Sequence, residues 1–344
     1  MKAPRPRWPL VAAATAMVLL AACSVVSRAA YPYRPAGPTR PRPRASEAER
    51  PVPRPRPRAS EAERLVPRPP RSAPYWGVYE PGTPASYRPI QQFTALMGGA
   101  APRIVLYYSD WGQPFEAAYA LAAHDHGALT LVQIQPADVS MAGIAAGRYD
   151  GYIRSYARQV RAFGYPVIIG FAHEMNGPWY PWGFGHVRPR TWIAAWRHVV
   201  TVFRQQHADN VTWLWTVNIS GPGVPSPRRW WPGSAYVTWV GIDGYYYLAD
   251  DGFQGVLSPT ITDVRTFTSK PILIAETGIT SGFVPVAMPD LIAGIRQRHL
   301  LGLVWFDADA GLDWRLEGHP AAVAAFRSGI ARMLAPAGEP PGPG

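Results

Sequence analysis

The segment VIIGFAHE at residues 167–174 shows the pattern on which the fold prediction depends. It begins with five uncharged, mostly aliphatic residues, and an apolar run of this length is typical of a buried β-strand. The run ends in His173 and Glu174, two side chains that can carry charge. We therefore predict a short buried strand whose carboxyl end bears polar groups.

Similar apolar runs continue along the chain after residue 74. Seven of them predict further strands, at 76–79, 104–108, 129–134, 211–216, 237–242, 272–275 and 303–306. The segments between them predict helices, because their apolar residues recur at helical spacing. Examples of this spacing are Tyr152, Tyr156, Val160 and Phe163, and then Trp192, Trp196, Val199 and Phe203.

The alternation of eight strands with helices predicts an α/β fold of the (β/α)8 barrel type. Such barrels typically take about 250 residues, and about 260 residues follow position 74. A doubly wound open sheet is the alternative, but no glycine-rich phosphate-binding motif follows an early strand. We therefore expect the closed barrel.

The distribution of charge divides the chain into two parts. Residues 1–74 contain 15 Lys and Arg against 4 Asp and Glu, whereas residues 75–344 contain 19 of each. The whole formal charge of +11 therefore lies in the N-terminal fifth of the chain. Since a neutral folded part does not favour a basic groove, we predict no nucleic-acid partner.

The N-terminus resembles a bacterial lipoprotein signal. Three basic residues precede an apolar run of about fifteen residues, which is typical of an export signal and too short for a comfortable membrane span. The run ends in Leu20-Ala21-Ala22-Cys23, which is similar to the lipobox in which a signal is cut before a lipid-bearing cysteine. Cys23 is the only cysteine, so a disulfide within the chain and a cysteine-based zinc site are excluded. Ordinary secretion with cleavage near residues 27–30 is the alternative.

The Pro- and Arg-rich segment after Cys23 predicts a tether. A 14-residue unit occurs twice, at 40–53 and 54–67, and frequent Pro favours an extended polyproline II conformation. The protein is then exported and held at the outer face of the plasma membrane, or released to the extracellular space or cell wall. The predicted segments are a signal peptide over 1–22, the tether over 23–74, a folded domain over 75–335 and a flexible tail over 336–344.

The residues that end the predicted strands identify a candidate site, because (β/α)8 barrels place their chemistry at the carboxyl ends of the strands. Glu174 ends the fourth strand and Glu276 the seventh, on opposite sides of one barrel mouth. Two facing carboxyl groups suit glycoside hydrolysis, in which one protonates the leaving oxygen and the other attacks the anomeric carbon or activates water. A structural ion pair or helix cap is the alternative for either residue alone. Other polar residues at strand ends are Asn218, Asp243 with Tyr245, and Asp307.

Tryptophan supports a sugar ligand, because indole rings stack on the apolar faces of pyranoses. Thirteen of the fourteen Trp lie beyond residue 74. Four are on helix or strand patterns and are expected in the core: Trp192, Trp196, Trp213 and Trp215. Six are at predicted loops or strand ends, and we expect about half of these to touch substrate: Trp111, Trp179, Trp182, Trp230, Trp231 and Trp305.

Four blocks of sequence resemble glycoside hydrolase family 26, and they occur in the same order. The first is FAHEMNG at 171–177, followed by Trp179 and PWG at 181–183. The others are WPG at 231–233 with WVGIDGY at 239–245, KPILIAETG at 270–278, and WFD at 305–307 with DWR at 313–315. The resemblance covers most of residues 75–335.

The resemblance implies a retaining hydrolase with Glu174 as general acid/base and Glu276 as nucleophile. It also implies that His173 contacts the reacting sugar or steadies the nucleophile, and that Tyr245 donates a hydrogen bond to Glu276. The subsites that flank the cleaved bond would be lined by Asp243, Trp179 and Trp305. The full set of predicted substrate-binding residues is His173, Trp179, Trp182, Asn218, Asp243, Tyr245, Trp305 and Trp111.

One position departs from the family pattern. Members commonly carry Arg four residues before the acid/base glutamate, where this chain has Gly170. Such an Arg would organise the carboxyl groups electrostatically. Arg103 or Arg315 could take its place in space.

We predict no metal and no cofactor. His124-Asp125-His126 lies on the face away from the predicted mouth, and the acidic residues at 307, 309 and 313 lack the spacing of a calcium-binding EF-hand. No Gly-x-Ser-x-Gly motif supports a serine hydrolase.

The leading hypothesis is therefore an exported, membrane-tethered, monomeric endo-β-glycanase. The resemblance implies β-1,4-mannan or mixed-linkage β-1,3-1,4-glucan as the substrate, ahead of β-1,3-xylan. A non-catalytic polysaccharide-binding or wall-associated barrel is the first alternative, and Gly170 favours it. A protein that interacts through its Arg/Pro-rich arm is the second.

Overall fold

Eight parallel strands form a closed barrel in chain order, with the first strand also paired to the last. The structure is a computed structural model and describes residues 74–221 and 223–336. The predicted (β/α)8 barrel is confirmed. The strands are β1 (Tyr75–Tyr79), β2 (Ile104–Asp110), β3 (Leu129–Gln135), β4 (Val167–Phe171), β5 (Val211–Asn218), β6 (Trp239–Asp243), β7 (Ile272–Thr277) and β8 (Gly302–Phe306).

Several strands extend beyond the apolar runs that predicted them. β5 continues to Asn218, which pairs with Asp243 of β6. Polar residues can remain in a strand because the backbone N–H and C=O groups still need partners in the neighbouring strands. The sixth strand begins at Trp239 rather than at the predicted Val237, which follows a short 3-10 turn at Ser234–Tyr236.

Helices cover the outside of the barrel. The four tryptophans that were expected in the core are all buried, two of them on a helix and two on β5. The helices are α1 (Arg88–Leu96), α2 (Ala117–Asp125), α3 (Met141–Ala145), α4 (Asp150–Phe163), α5 (Pro189–Gln205), α6 (Phe253–Val256), α7 (Ser258–Arg265), α8 (Val284–Gln297) and α9 (Pro320–Leu334).

The core has two parts that face opposite sides of the sheet. Between the sheet and the helices lies a large layer that includes Trp192, Trp196 and Trp215. Inside the barrel a smaller cluster fills the lower and middle levels, with members such as Leu106 and Leu214. Because the interior is filled with side chains, the upper end of the barrel remains as the place for a site.

Several predictions concern residues outside the described part of the chain. These are the signal peptide over 1–22 with the lipidation of Cys23, and all but one residue each of the tether and the tail. Within the described ranges, no helix is both long and apolar enough to cross a membrane.

Candidate active site

The carboxyl groups of Glu174 and Glu276 lie at the carboxyl end of the barrel, as predicted from the strand ends. Glu174 follows the last residue of β4 by three positions, and Glu276 is the fifth residue of β7. Glu174 is 6% exposed. Its pKa is raised by burial and then by the charge of Glu276, so the two groups interact across the mouth.

The backbone around Glu174 is bent into an uncommon conformation. Ala172 and Glu174 have φ values of 49° and 52°, in the left-handed region that costs a non-glycine residue about 1–3 kcal/mol. Contacts with β5 hold this bend: Glu174 N–H donates to the Thr216 carbonyl at 3.0 Å. The buried Asn176 side chain also makes two hydrogen bonds, of 2.8 and 2.9 Å, with the backbone of Asn218. The bend turns the Glu174 side chain into the mouth.

Two neutral donors contact the Glu174 carboxyl group. Asn218 Nδ2 donates to Oε1 at 2.7 Å, and Trp179 Nε1 donates to Oε2 at 2.7 Å. Burial and the charge of Glu276 raise the pKa of Glu174 to about 8, against the lowering effect of these two hydrogen bonds. Glu174 is therefore protonated at neutral pH.

The Glu276 carboxylate accepts a phenol hydrogen bond on each oxygen. Tyr245 donates to Oε1, as the resemblance implied, and Tyr108 donates to Oε2. Burial raises the pKa of Glu276, while the hydrogen bonds of Tyr108 and Tyr245 lower it. Tyr108 was not among the predicted site residues, although it shares the inward-facing alternation of Ile104 and Leu106 on β2.

His173 is buried and neutral. Burial lowers its pKa to about 3. Its Nε2 is 3.1 Å from the hydroxyl of Tyr180, and Nδ1 has no hydrogen-bond partner within the described ranges. Contact between His173 and a sugar stays a prediction, and Tyr180 is a neighbour that the sequence did not identify.

Asp243 is a buried acid whose hydrogen-bonding capacity is unused. It is 1% exposed, and neither carboxyl oxygen has a partner among the residues that the structure describes. Burial, then the charges of Glu276 and Glu174, hold its pKa well above the usual range. In the sheet register it lies between Asn218 and Glu276, so its carboxyl group belongs to the same site.

Most of the predicted sugar-stacking tryptophans are instead part of the packing. Trp305, Trp230 and Trp182 are at most 2% exposed, so their rings cannot stack on a sugar. The Trp182 indole donates to the His173 carbonyl at 2.8 Å. These three assignments are wrong, because a strand-end position does not separate an open ring face from one covered by the next loop.

The remaining three tryptophans keep some exposure. Trp231 packs on Trp215 and Phe267, which belong to the outer layer between sheet and helices. Trp111 packs on Tyr152 but remains partly exposed, as does Trp179. Contact of these two rings with substrate stays a prediction.

A cluster of other aromatic rings lines the mouth. Tyr79 stacks on Phe306 with ring centroids 4.8 Å apart, and Tyr245 packs on Trp314 at 4.5 Å. Tyr108 packs edge-on against Tyr79 at 5.1 Å. The sequence signal for this wall is the tyrosine or phenylalanine near the ends of β1, β2 and β8, which a search for tryptophan alone does not detect.

Gly170, the position that departs from the family pattern, faces Gln133 on the neighbouring strand β3. A Cβ atom at position 170 would lie 1.8 Å from Gln133 Oε1, so the glutamine occupies the space of any side chain there. Neither suggested arginine replaces the missing one. Arg103 precedes β2 at the opposite end of the barrel, and Arg315 is largely exposed and bonded to Asp313 at 2.8 Å.

A second pair of acids lies where the first and last strands meet. Glu80 follows β1, Asp307 follows β8, and their carboxyl groups are hydrogen-bonded. Burial, then the charge and hydrogen bond of Asp307, raise the pKa of Glu80 to about 10. The pair therefore shares one proton at neutral pH.

Within the described ranges, no group of three or more His, Cys, Asp or Glu is arranged to hold a metal ion. The rings of His124 and His126 instead pack on Tyr165 and Tyr87. Asp313 is bonded to Arg315 and to His319.

The fold and the site together define a class of protein, a (β/α)8 barrel with one glutamate after the fourth strand and another on the seventh. A sequence model described as glycosyl hydrolase family 26 matches residues 139–328, which is more than half of the chain. The chain belongs to this family. The matched stretch contains both Glu174 and Glu276 and begins after β3.

Curated relatives are similar over part of their length. Endoglucanase H of Acetivibrio thermocellus is 31% identical over 267 residues, covering 72% of this chain and 29% of the relative. Beta-1,3-xylanase TXYA of Vibrio sp is 34% identical over 144 residues, covering 40% of this chain and 30% of the relative. The chain thus spans less than a third of the length of these relatives.

Solved structures share the fold. A family 26 β-mannanase from Bacteroides ovatus superposes with a TM-score of 0.59 at 16% identity, covering 80% of this chain and 91% of that chain. A family 26 endo-β-1,4-mannanase catalytic domain from Bacillus sp. JAMB-750 gives a TM-score of 0.60 at 15% identity, covering 77% and 87%. At these identities the likeness concerns the barrel and not its substrate.

Proposed function

We propose that the chain is a retaining endo-β-glycanase with Glu174 as general acid/base and Glu276 as nucleophile. The observation that carries this proposal is the difference between the two carboxyl environments. Burial and a neighbouring negative charge keep Glu174 protonated, whereas two phenol donors favour the ionised form of Glu276. Paired carboxyl groups whose surroundings separate their pKa values are typical of acid and nucleophile roles.

The reaction has two steps. In the first, Glu174 gives its proton to the leaving glycosidic oxygen, the bond from that oxygen to the anomeric carbon breaks, and a Glu276 oxygen bonds to that carbon. In the second, Glu174 takes a proton from water, the water oxygen bonds to the anomeric carbon, and the ester bond to Glu276 breaks. Each residue thereby returns to its starting protonation state.

Polar groups without partners are suited to hold the sugar. The Asp243 oxygens and His173 Nδ1 are buried beside the two glutamates with no partner in the described residues. A sugar hydroxyl can both donate and accept, so it can satisfy either group and remove the cost of leaving it unpaired. Exposed surface on Tyr79 and Trp179 offers ring faces for stacking.

We assign β-1,4-mannan or mixed-linkage β-1,3-1,4-glucan as the substrate class, ahead of β-1,3-xylan. The relative matched over most of this chain is named an endoglucanase, and shorter matches are named mannosidases or xylanases. A neutral polysaccharide agrees with the balance of 19 basic and 19 acidic residues over 75–344.

The test is hydrolysis of a panel of β-mannan, mixed-linkage β-glucan and β-1,3-xylan by the full chain. Glu174→Ala and Glu276→Ala are the matched variants, and each is expected to lower the rate by at least about 100-fold. Binding of a polysaccharide without release of sugar would replace the proposal with the non-catalytic alternative. Absence of both binding and release would overturn it altogether.

We also propose that the protein is exported and anchored at the outer face of the membrane as a monomer, through a lipid on Cys23. The support is the apolar run that ends at the only cysteine, followed by the Pro- and Arg-rich repeat. Cys23→Ala is expected to move the protein from the membrane fraction to the soluble fraction, with its hydrolytic activity unchanged. An unchanged membrane fraction would contradict the anchor.

A further inference from the structure

We propose that Tyr108 is a catalytic residue of this chain, which holds the Glu276 carboxylate jointly with Tyr245 where no cation of the described residues pairs with it. The proposal rests on the function assigned above to Glu276. Tyr108 is on β2, before the stretch that matches the family, so no family motif assigns it a role.

The first argument is the geometry of Tyr108. Its hydroxyl donates to Glu276 Oε2, and the Tyr245 hydroxyl donates to Oε1. The Tyr108 ring is fixed by an edge-on contact with Tyr79 at 5.1 Å and a tilted contact with His173 at 5.8 Å. One donor would let the carboxylate rotate about its bond to the side chain, whereas two donors on separate oxygens fix its plane.

The second argument is that neutral groups alone satisfy Glu276. In the described ranges, the groups that act on its pKa are the two phenols and burial. No salt bridge of the described residues involves Glu174, Asp243 or Glu276. The phenols are therefore the groups that act against the rise in pKa that burial causes.

The third argument comes from the barrel interior below the site. The Gln133 side chain fills the space next to Gly170 and donates through Nε2 to Thr216 Oγ1 at 3.1 Å. Thr216 in turn accepts the backbone N–H of Glu174 through its carbonyl. This level is therefore occupied by a neutral amide that supports the strand ends and leaves no room for a charged side chain on β4 at position 170.

The chemistry of the two-step reaction suits neutral donors. When Glu276 attacks, one oxygen becomes an ester oxygen and the negative charge of the carboxylate disappears. The phenol on that oxygen is released, while the other phenol stays on the carbonyl oxygen of the ester. A phenol carries no charge, so the loss of the Glu276 charge in the intermediate leaves no buried positive charge on these donors.

Tyr108→Phe removes the hydroxyl and keeps the ring. Because a hydrogen bond to a charged group is lost, kcat/KM is expected to fall about 10- to 100-fold. The loss should be greatest at low pH. Without the Tyr108 hydroxyl, Glu276 binds its proton more tightly, so the acid limb of the pH profile moves to higher pH. A purely structural role would lower the rate without moving that limb.

The matched control is Tyr107→Phe. Tyr107 is the preceding residue on β2 and faces the outer layer, where its hydroxyl accepts the Glu116 backbone N–H at 3.4 Å. The same chemical change is thus made on the opposite face of the strand. We expect kcat/KM and the acid limb to be unchanged in this variant.

A second readout does not depend on activity. The full chain is prepared with isotope-labelled glutamate carboxyl carbons, and the signal of Glu276 is assigned by its absence in Glu276→Gln. In an NMR titration, Tyr108→Phe is expected to raise the midpoint of Glu276, and Tyr107→Phe is expected to leave it unchanged. An unchanged midpoint in Tyr108→Phe would overturn the proposal, whether or not the protein hydrolyses a polysaccharide.

The two readouts separate the proposals. Hydrolysis by the unmutated chain with an unaffected Tyr108→Phe profile rejects the role of Tyr108 and leaves the proposed function standing. A shifted NMR midpoint in a chain that hydrolyses nothing rejects the proposed function and supports the contact. If Tyr108→Phe does not fold, Tyr108→His, which keeps an N–H donor, is compared with Tyr108→Leu, and equal losses in both would reject the proposal.

Discussion

Glu174 and Glu276 carry the same functional group, and their different neighbours support the different roles that we propose for them. Glu174 accepts hydrogen bonds from the Asn218 amide and the Trp179 indole. Burial and the nearby charge of Glu276 raise its pKa, so it retains its proton. Burial raises the pKa of Glu276, and its two phenol hydrogen bonds oppose that rise. At the scale of single residues, the neighbouring side chains therefore favour Glu174 over Glu276 as the proposed acid.

Asn218 offers a direct test of how these neighbouring side chains set the pKa of Glu174. Its hydrogen bond lowers the pKa of Glu174, so Asn218→Ala is expected to raise that pKa by about one unit. Because Glu174 must be protonated for the first step, the alkaline limb of the kcat/KM profile should move to higher pH. A limb that stays in place or moves to lower pH in a steady-state pH series would contradict this role.

Some residues of the site could be predicted from the sequence and others could not. Tyr245 follows Asp243 by two positions inside a family block, and its bond to Glu276 is confirmed. Tyr108 was missed because it reads as one more apolar residue of a strand. Trp305 was placed wrongly because its ring lies in the outer layer and packs on Phe326 of α9, and tertiary contacts of this kind leave no local signal.

At the scale of elements, the apolar runs located all eight strands. A run of buried aliphatic residues is a direct consequence of a sheet covered on both faces, so the pattern and the structure have the same cause. The ends of the strands were less accurate, since residues such as Asn218 and Glu276 stay in the ladder through their backbone. Contacts between strands, such as Gln133 with Gly170, depend on register and were not predicted.

The close packing of β3 against β4 predicts that substitutions at Gly170 and Gln133 have non-additive effects on the free energy of unfolding. Gly170→Ala places a methyl group against Gln133 Oε1, and we expect it to lower the free energy of unfolding by about 1–3 kcal/mol. Gln133→Ala removes the obstructing atom, so the double variant should be more stable than the sum of the two single effects predicts. Urea unfolding of the four proteins measures this, and strictly additive effects would contradict the close approach.

At the scale of the whole molecule, the barrel closes where β1 meets β8, and the half-buried Glu80 and the buried Asp307 lie at that seam. The folded protein keeps a proton on Glu80 up to a pH of about 10, whereas the unfolded chain releases it near the ordinary value of 4.5. The folded state thus binds more protons between these values. The free energy of unfolding should therefore fall as pH rises through this window.

Glu80→Gln keeps an N–H donor for Asp307 and removes the need for a proton. We expect the decline of Tm between pH 5 and pH 9 to become shallower, with a gain at pH 8 of roughly 2–4 °C for each 1 kcal/mol recovered. Glu116→Gln, an acid outside the pair, serves as the control and should keep the original slope. The same slope in Glu80→Gln as in the unmutated protein would reject the shared proton.

The charge of the whole chain is divided between an arm and a barrel. The excess of basic residues lies in residues 1–74, and the barrel is left with equal numbers of acidic and basic groups. This division was readable from composition alone. The choice among mannan, glucan and xylan was not, because these polysaccharides differ in the positions of single hydroxyl groups and linkages, which composition does not report.

The role of Glu276 as nucleophile is tested most directly by the configuration of the first sugar released. Proton NMR of a β-mannan or mixed-linkage β-glucan during hydrolysis by the full chain distinguishes the two anomers before they interconvert. A retaining mechanism predicts that the β-anomer appears first and the α-anomer only later, through mutarotation. Initial release of the α-anomer would contradict Glu276 as nucleophile, and release of no sugar would contradict hydrolysis itself.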